Sequence, residues 1–294
     1  MLKFKFIVII FNILIVFLLS AAALIPLFVF GFGFSVMFWR SSWPLALILV
    51  VALIILNVFF LFNRRLFNLL EREDWPALVD FLEQSVIYKG RYSSREVRLL
   101  LNSYLLMSDS AAMSRLEHKV ALAKPVLLEV NALIFGVARI LEGNPREAAD
   151  FFRLRLEKGK AGEKLWLRWY YGFSLVLARD FDTAEAEFKA LVAISANSRQ
   201  FLIAALAAYF LSNTLLKYSA NSAECRSIAE EGRERVRKAL KNAAGWEKEA
   251  AKVETEVYAA IIKKYIDEAG GWLFDESPVY RRGSGMNRSE YEYI

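Results

Sequence analysis

Residues 136–152 read GVARILEGNPREAADFF, and residues 172–188, which begin 36 positions later, read GFSLVLARDFDTAEAEF. In each segment a polar turn separates two runs of helical period. A recurrence at fixed spacing predicts a helix–turn–helix unit that is repeated along the chain. Three residue types recur at matching offsets, in the pairs Gly136 and Gly172, Ala148 and Ala184, and Phe152 and Phe188.

The chain on either side of these segments follows the same plan. From residue 64 onward apolar residues recur with helical rather than alternating period, and turn residues interrupt them at short intervals. Weaker copies of the unit are predicted at 95–120 and 200–240. An apolar stripe headed by Trp246 predicts a C-terminal capping helix over 244–268 that ends at Gly270 and Gly271. We therefore predict an all-α chain, with a helical-repeat domain over 66–268 and a flexible tail over 269–294.

The two segments resemble the tetratricopeptide-repeat (TPR) family, with a specific match over about 130–194. In that family a small residue in the first helix admits the second helix closely, a small alanine packs into the same crossing, and an aromatic ring fills the gap to the next repeat. The resemblance implies an α-solenoid of TPR-like helix pairs. It assigns these packing roles to Gly136, Ala148 and Phe152, and again to Gly172, Ala184 and Phe188.

The resemblance also implies a concave groove that is lined by the first helix of each repeat and takes a peptide segment of a partner. The alternative is that each of these side chains belongs to ordinary helix-packing core. The lysine and asparagine with which some family members clamp a carboxylate are replaced here by Trp169 and Leu133, so that docking mode is not expected. The predicted groove residues are Leu133, Val137, Trp166, Trp169, Phe173 and Val176.

The N-terminal 63 residues have a different composition. Residues 6–63 contain one charged residue, Arg40, between two long apolar runs. A membrane-spanning helix needs about 20 apolar residues, so two spans are predicted near 6–30 and 44–62. Glycine and proline in the intervening stretch predict a short turn, and the result is a transmembrane helical hairpin over 1–65. Asn12 in the first span is interpreted as a tolerated polar residue, and the less favoured alternative is that it hydrogen-bonds to a neighbouring helix.

The distribution of basic residues predicts which way the hairpin faces. Lys3 and Lys5 precede the first span, and Arg64 and Arg65 follow the second. The positive-inside rule places both termini in the cytoplasm. We therefore expect a multi-pass protein with two spans in a bacterial inner membrane. A cleaved signal peptide that ends near residue 23 is the less favoured alternative, because the residues after that point remain strongly apolar.

Composition excludes several classes of site. The chain has one histidine and one cysteine, so neither a disulfide framework nor a Cys/His metal site is expected. Residues 64–294 carry 35 Lys and Arg against 32 Asp and Glu. That mixture is unlike the basic patch of a nucleic-acid-binding protein. No phosphate-binding loop, metal-ligand spacing or catalytic carboxylate pair is recognisable, so we expect no enzyme activity, no cofactor and no metal.

These features predict a membrane-anchored scaffold or adaptor. Its expected partners are the lipid bilayer and one or more proteins near the cytoplasmic face of the membrane. Two alternatives remain open: an extracytoplasmic scaffold of an envelope or flagellar-motor complex, and a non-catalytic regulatory subunit of a membrane enzyme.

Overall fold

The computed structural model describes residues 4–156, 161–197, 199–254 and 256–274. Within those ranges the chain is helical and contains no strand. It divides into two compact units, Met1–Gln84 and Ser85–Ile294. The first unit holds helix α1, Phe4–Arg72, and helix α2, Trp75–Glu83.

Helix α1 consists of two helices that meet at Gly31, whose φ of 80° and ψ of 175° lie outside the helical region. Glycine adopts this φ without the steric penalty of a Cβ atom, so one residue is enough to break the helix. The predicted turn is therefore corrected. The apolar residues after Gly31 resume helical conformation at once, and Pro44 lies inside the second helix.

A hydrogen bond between two asparagines holds the two halves of α1 side by side. Asn57 Nδ2 donates to Asn12 Oδ1 at 2.7 Å. Along one straight helix, residues 45 positions apart would be separated by about 67 Å, so the chain folds back on itself. Asn12 is thus an interhelical residue, and its interpretation as merely tolerated is wrong.

Two segments of α1 are long and apolar enough to cross a membrane, Val8–Pro44 and Leu47–Glu71. The first has 37 residues, or about 55 Å at the helical rise per residue. That length exceeds a hydrocarbon core of about 30 Å, and the break at Gly31 shortens its straight part. Most of its large apolar side chains are exposed, such as Phe28.

The second unit contains eleven α-helices among the described residues, together with a 3₁₀ segment. Helices α6 to α11 each pack against the next, and α6 also packs on α8, α8 on α10, and α9 on α11. The helices are α3 (Ser94–Leu106), α4 (Ser110–Ala123), α5 (Pro125–Val130), α6 (Ala132–Leu141), α7 (Pro145–Leu156), α8 (Ala161–Leu177), α9 (Phe181–Asn197), α10 (Phe201–Phe210), α11 (Ser222–Leu240), α12 (Ala243–Glu254) and α13 (Lys263–Phe274), with the 3₁₀ segment at Val257–Ile262.

The two recurring segments cross their helices in the same way. A Cβ added to Gly136 would lie 2.2 Å from Cζ of Phe152, and one added to Gly172 would lie 3.1 Å from Cζ of Phe188. Both phenylalanines are fully buried, and so are Ala148 and Ala184. The same contact thus recurs at the α6–α7 and α8–α9 crossings, and it is tighter at the first.

The C-terminal part differs from its prediction. The single helix expected over 244–268 is divided into α12, the 3₁₀ segment and α13. Helix α13 runs through both glycines that were predicted to end it. A Cβ on Gly270 would lie 2.4 Å from Nε1 of Trp246, so this glycine permits a close approach instead of a helix end. Leu273 is fully buried, which moves the end of the packed domain from 268 to 274; residues 275–294 of the predicted tail lie outside the described residues.

The unequal glycine contacts predict unequal effects of alanine substitution. Gly136→Ala should destabilise the second unit by up to about 2 kcal/mol, because overpacking costs about 1–3 kcal/mol against a helix-propensity gain of about 1 kcal/mol. Phe152 cannot easily give way, since its ring stacks on Tyr170 at a centroid distance of 5.7 Å. Gly172→Ala should be close to neutral. Thermal unfolding of the full chain in mild detergent, followed by circular dichroism, compares the two variants.

Gly271→Ala is the matched control, because nothing lies within 4 Å of its added Cβ. This substitution should leave the midpoint temperature of unfolding unchanged or raise it. Equal midpoints for the Gly136 and Gly172 variants would contradict the assignment of the tighter crossing to the first segment.

Candidate functional site

An aromatic cluster on one face of α8 is the core of the candidate site. Trp166, Trp169, Tyr170 and Phe173 lie at helical positions i, i+3, i+4 and i+7, which share one face. Trp169 stacks on Phe173 with ring centroids 5.3 Å apart. It also meets Phe210 of α10 edge-on at 5.6 Å. We call the surface formed by these rings of α8 and α10 the aromatic face.

The C-terminal segment of the same chain, 256–274, lies along the aromatic face. Three aromatic residues recur in it every seven positions, Tyr258, Tyr265 and Trp272. Each packs on a ring of α8 or α10, with centroid distances of 5.9 Å from Tyr258 to Trp166, 5.5 Å from Tyr265 to Phe173 and 6.0 Å from Trp272 to Tyr209.

Hydrogen bonds attach this segment at both ends. Near its start, the hydroxyl of Tyr170 donates to the backbone carbonyl of Tyr258 at 2.6 Å. Near its end, Arg233 Nη2 donates to the carbonyl of Trp272 at 2.6 Å, and the guanidinium lies 5.0 Å from the centroid of that indole ring. A shift of the segment would break these hydrogen bonds and leave a polar group without a partner. The two bonds therefore fix the position of the segment along the aromatic face.

Two phenols in this region are kept in their neutral form. Burial raises the pKa of Tyr170 well above its ordinary value, and the nearby Tyr258 raises it further. The pKa of Tyr209 is raised by burial, by the hydrogen bond that its hydroxyl donates to Glu268 at 2.8 Å, and by the charge of that carboxylate. Both phenols therefore act as hydrogen-bond donors at neutral pH.

The expectation that six residues line an open groove is corrected. Trp169 and Val137 are inaccessible to solvent, and Trp166 and Phe173 are nearly so. Only Leu133 and Val176 are half-buried. The physical reason is that exposed apolar surface costs about 25 cal/mol per Å². Tyr258 and Tyr265 of the C-terminal segment pack on Trp166 and Phe173, and Trp169 packs on Phe188 of α9 and Phe210 of α10.

One cavity of about 240 Å³ remains at the Trp166 end of the aromatic face. Leu133 and Trp166 of the predicted groove line it, together with the ion pair of Arg98 and Glu256 at 2.6 Å. Asn131 also lines the cavity; it is buried, and its Nδ2 donates to the carbonyl of Leu127 at 2.8 Å. The cavity is large enough for one side chain or a similarly small group. Its mixed lining suits a group that has both apolar and hydrogen-bonding atoms.

The three aromatic residues of the C-terminal segment are the part of the site that the sequence analysis missed. A signal was present, since Tyr258, Tyr265 and Trp272 recur at seven-residue spacing. Trp272 had been assigned to the tail because two glycines precede it.

A family model described as "Uncharacterised Treponema protein" matches residues 112–275. The matched region runs from α4 to α13 and includes both recurring segments and the C-terminal segment. A protein of Treponema pallidum (strain Nichols), itself described as uncharacterized, is 37% identical over 169 residues, which is 58% of this chain and 53% of the relative. The chain thus spans about half the length of that relative. The TPR family is not matched, and no solved structure matches this chain.

The buried phenol of Tyr170 predicts a pH dependence of stability. Because its pKa is raised in the folded state, its contribution is complete below about pH 10, the ordinary tyrosine value. It is lost at up to about 1.4 kcal/mol per pH unit as the pH rises further. Tyr170→Phe should lower the free energy of unfolding by about 1–2 kcal/mol at pH 8, through loss of the hydrogen bond, and should flatten the alkaline decline. Denaturant unfolding between pH 8 and 11 measures both effects.

Tyr88→Phe, at a tyrosine that is 78% exposed, is the matched control and should keep the wild-type decline. A Tyr170→Phe variant that declined as steeply as wild type would show that this phenol does not carry the alkaline effect.

Proposed function

We propose that this chain, which belongs to the family described as "Uncharacterised Treponema protein", is a membrane-anchored helical scaffold that binds a protein partner. In this proposal α1 crosses the membrane twice as a hairpin. The second unit is an α-solenoid of TPR-like helix pairs, and its role is binding rather than catalysis. Anchoring raises the effective concentration of the partner at the membrane.

The observation that carries the anchoring proposal is the exposed apolar surface of α1. Its two halves are joined by the hydrogen bond between Asn12 and Asn57, at 2.7 Å. In water so much exposed apolar surface would be strongly unfavourable, whereas in a bilayer it faces acyl chains. An asparagine pair between adjacent helices also suits a membrane, where polar side chains bond across helices.

The proposed orientation has both termini in the cytoplasm of a bacterium. It is supported by Arg64, Arg65 and Arg72, which follow the uncharged run that ends at Asn63, against Arg40 alone between the two uncharged runs. The relative comes from a bacterium, Treponema pallidum, which supports the bacterial part of this proposal.

The TPR-like proposal is supported by the repeated contact of a helix glycine with a phenylalanine sixteen residues later. Gly136 with Phe152, and Gly172 with Phe188, are the two instances. Consecutive helices α6 to α11 also pack as neighbours, which a stack of helix pairs requires.

The partner site that we propose is the cavity of about 240 Å³ beside Leu133 and Trp166. It is the part of the predicted groove that the C-terminal segment leaves open. A partner segment would insert one side chain there and would contact the ion pair of Arg98 and Glu256, whose side chains are 48% and 36% exposed.

The orientation is tested by a reporter that is active on one side of the membrane only. The reporter is fused after Ile294. A fusion within α13, for example after residue 270, would interrupt that packed helix. We expect a cytoplasmic signal. An external signal would contradict the proposed orientation and would favour the extracytoplasmic envelope scaffold.

The partner site is tested by a photoreactive amino acid placed at Leu133 in the full-length chain and activated in intact cells. Leu154, which is 62% exposed on α7, is the matched control position. We expect a discrete protein adduct from position 133 that is absent from position 154, because only the first lines the cavity. Identical adducts from both positions, or no adduct from position 133, would exclude this cavity as the partner site.

A further inference from the structure

The two halves of α1 form an apolar groove near the start of the first helix and the end of the second. The groove is a cavity of about 390 Å³. Val8 and Ile9 contribute one side, and Phe60, Leu61 and Phe67 contribute the other. It lies a few residues beyond the bond between Asn12 and Asn57, which holds the two sides at this spacing.

Basic side chains stand at the polar end of this groove. Arg64 and Asn68 line the groove and also a second cavity, of about 380 Å³, in which Arg65 and Arg72 join them. The guanidinium of Arg65 lies 5.2 Å from the ring centroid of Phe81. Among the described residues, no ion pair engages these three arginines.

Apolar and basic groups share this site. Leu61 and Phe62 line the second cavity and are 69% and 83% exposed. Glu71 lines the first cavity and is the one carboxylate there, against three guanidiniums across the two cavities. The lining therefore complements a ligand with an anionic head and an apolar tail.

We propose that this end of α1 is a binding site for an anionic glycerophospholipid. Arg64, Arg65 and Arg72 bind the headgroup phosphate, since a guanidinium matches phosphate oxygens with paired hydrogen bonds, and the amide of Asn68 donates to the same group. An acyl chain occupies the groove between Val8 and Leu61. The inference rests on the proposed membrane anchoring and adds to it a specific lipid class.

A phospholipid explains the lining better than a free anion does. Inorganic phosphate would use the guanidiniums alone and would leave the groove and the exposed Phe62 without a role. Each basic residue at a membrane surface increases the binding constant for anionic lipid by about fivefold. Three arginines together therefore predict a preference of roughly 100-fold.

The experiment uses the full-length chain, purified in mild detergent with equal amounts of phosphatidylglycerol and phosphatidylethanolamine. Native mass spectrometry measures the ratio of the two lipids that stay bound. We expect wild type to retain phosphatidylglycerol in strong preference. The triple variant Arg64→Gln, Arg65→Gln and Arg72→Gln should lose that preference by roughly 100-fold, and Arg64→Gln alone by about fivefold.

The matched control replaces three exposed arginines of the second unit, as Arg91→Gln, Arg115→Gln and Arg226→Gln. It removes the same total charge and should leave the lipid ratio at the wild-type value. Added inorganic phosphate should not release the bound phosphatidylglycerol. Release by phosphate would identify a free-anion site and would overturn the proposal.

Flotation of the same variants with vesicles of both lipids separates this inference from the anchoring on which it rests. A wild-type chain that fails to float would contradict the anchoring itself. A chain that floats but binds both lipids equally, or a triple variant that keeps the wild-type preference, would overturn the lipid site alone.

Discussion

The aromatic rings of α8 must be kept from water, and the packing of the second unit depends on how this is done. Helices α6, α7, α9 and α10 all pack on α8. Tyr258 and Tyr265 of the C-terminal segment add ring contacts to Trp166 and Phe173. The hydroxyl of Tyr170 donates to a carbonyl of that same segment. Residues up to 274 therefore belong to the packed domain, in agreement with the family match to residue 275.

For the partner binding that we propose, this covering changes which surface is open. A scaffold with an open groove would present Trp169 and Phe173, whereas here their rings pack against the chain itself. The surface left beside them is a small cavity with an ion pair at its edge. Binding at such a site depends on one inserted side chain and on its polar contacts, more than on the area that it buries.

The arrangement of the first unit depends on one polar contact. One bond between Asn12 and Asn57 aligns two helices that have few other polar groups. That alignment also forms the groove whose polar end carries Arg64. Orientation by basic residues and recognition of an anionic lipid would then draw on the same arginines, because both depend on positive charge at the boundary of the apolar helix.

The sequence by itself determined the helical class of the chain, the two apolar segments and the recurring Gly136 and Gly172, because helical period, apolar length and repeat spacing are local properties. It did not determine that Gly31 alone breaks α1, or that Gly270 allows Trp246 to pack closely against α13. A glycine is compatible both with a helix break and with a close contact, so the residue type does not distinguish them. Only the tertiary structure decided which surface covers the aromatic face. The covering surface is set by packing between residues that lie nearly ninety positions apart, such as Tyr170 and Tyr258. A local sequence pattern does not indicate which of several apolar faces pack together.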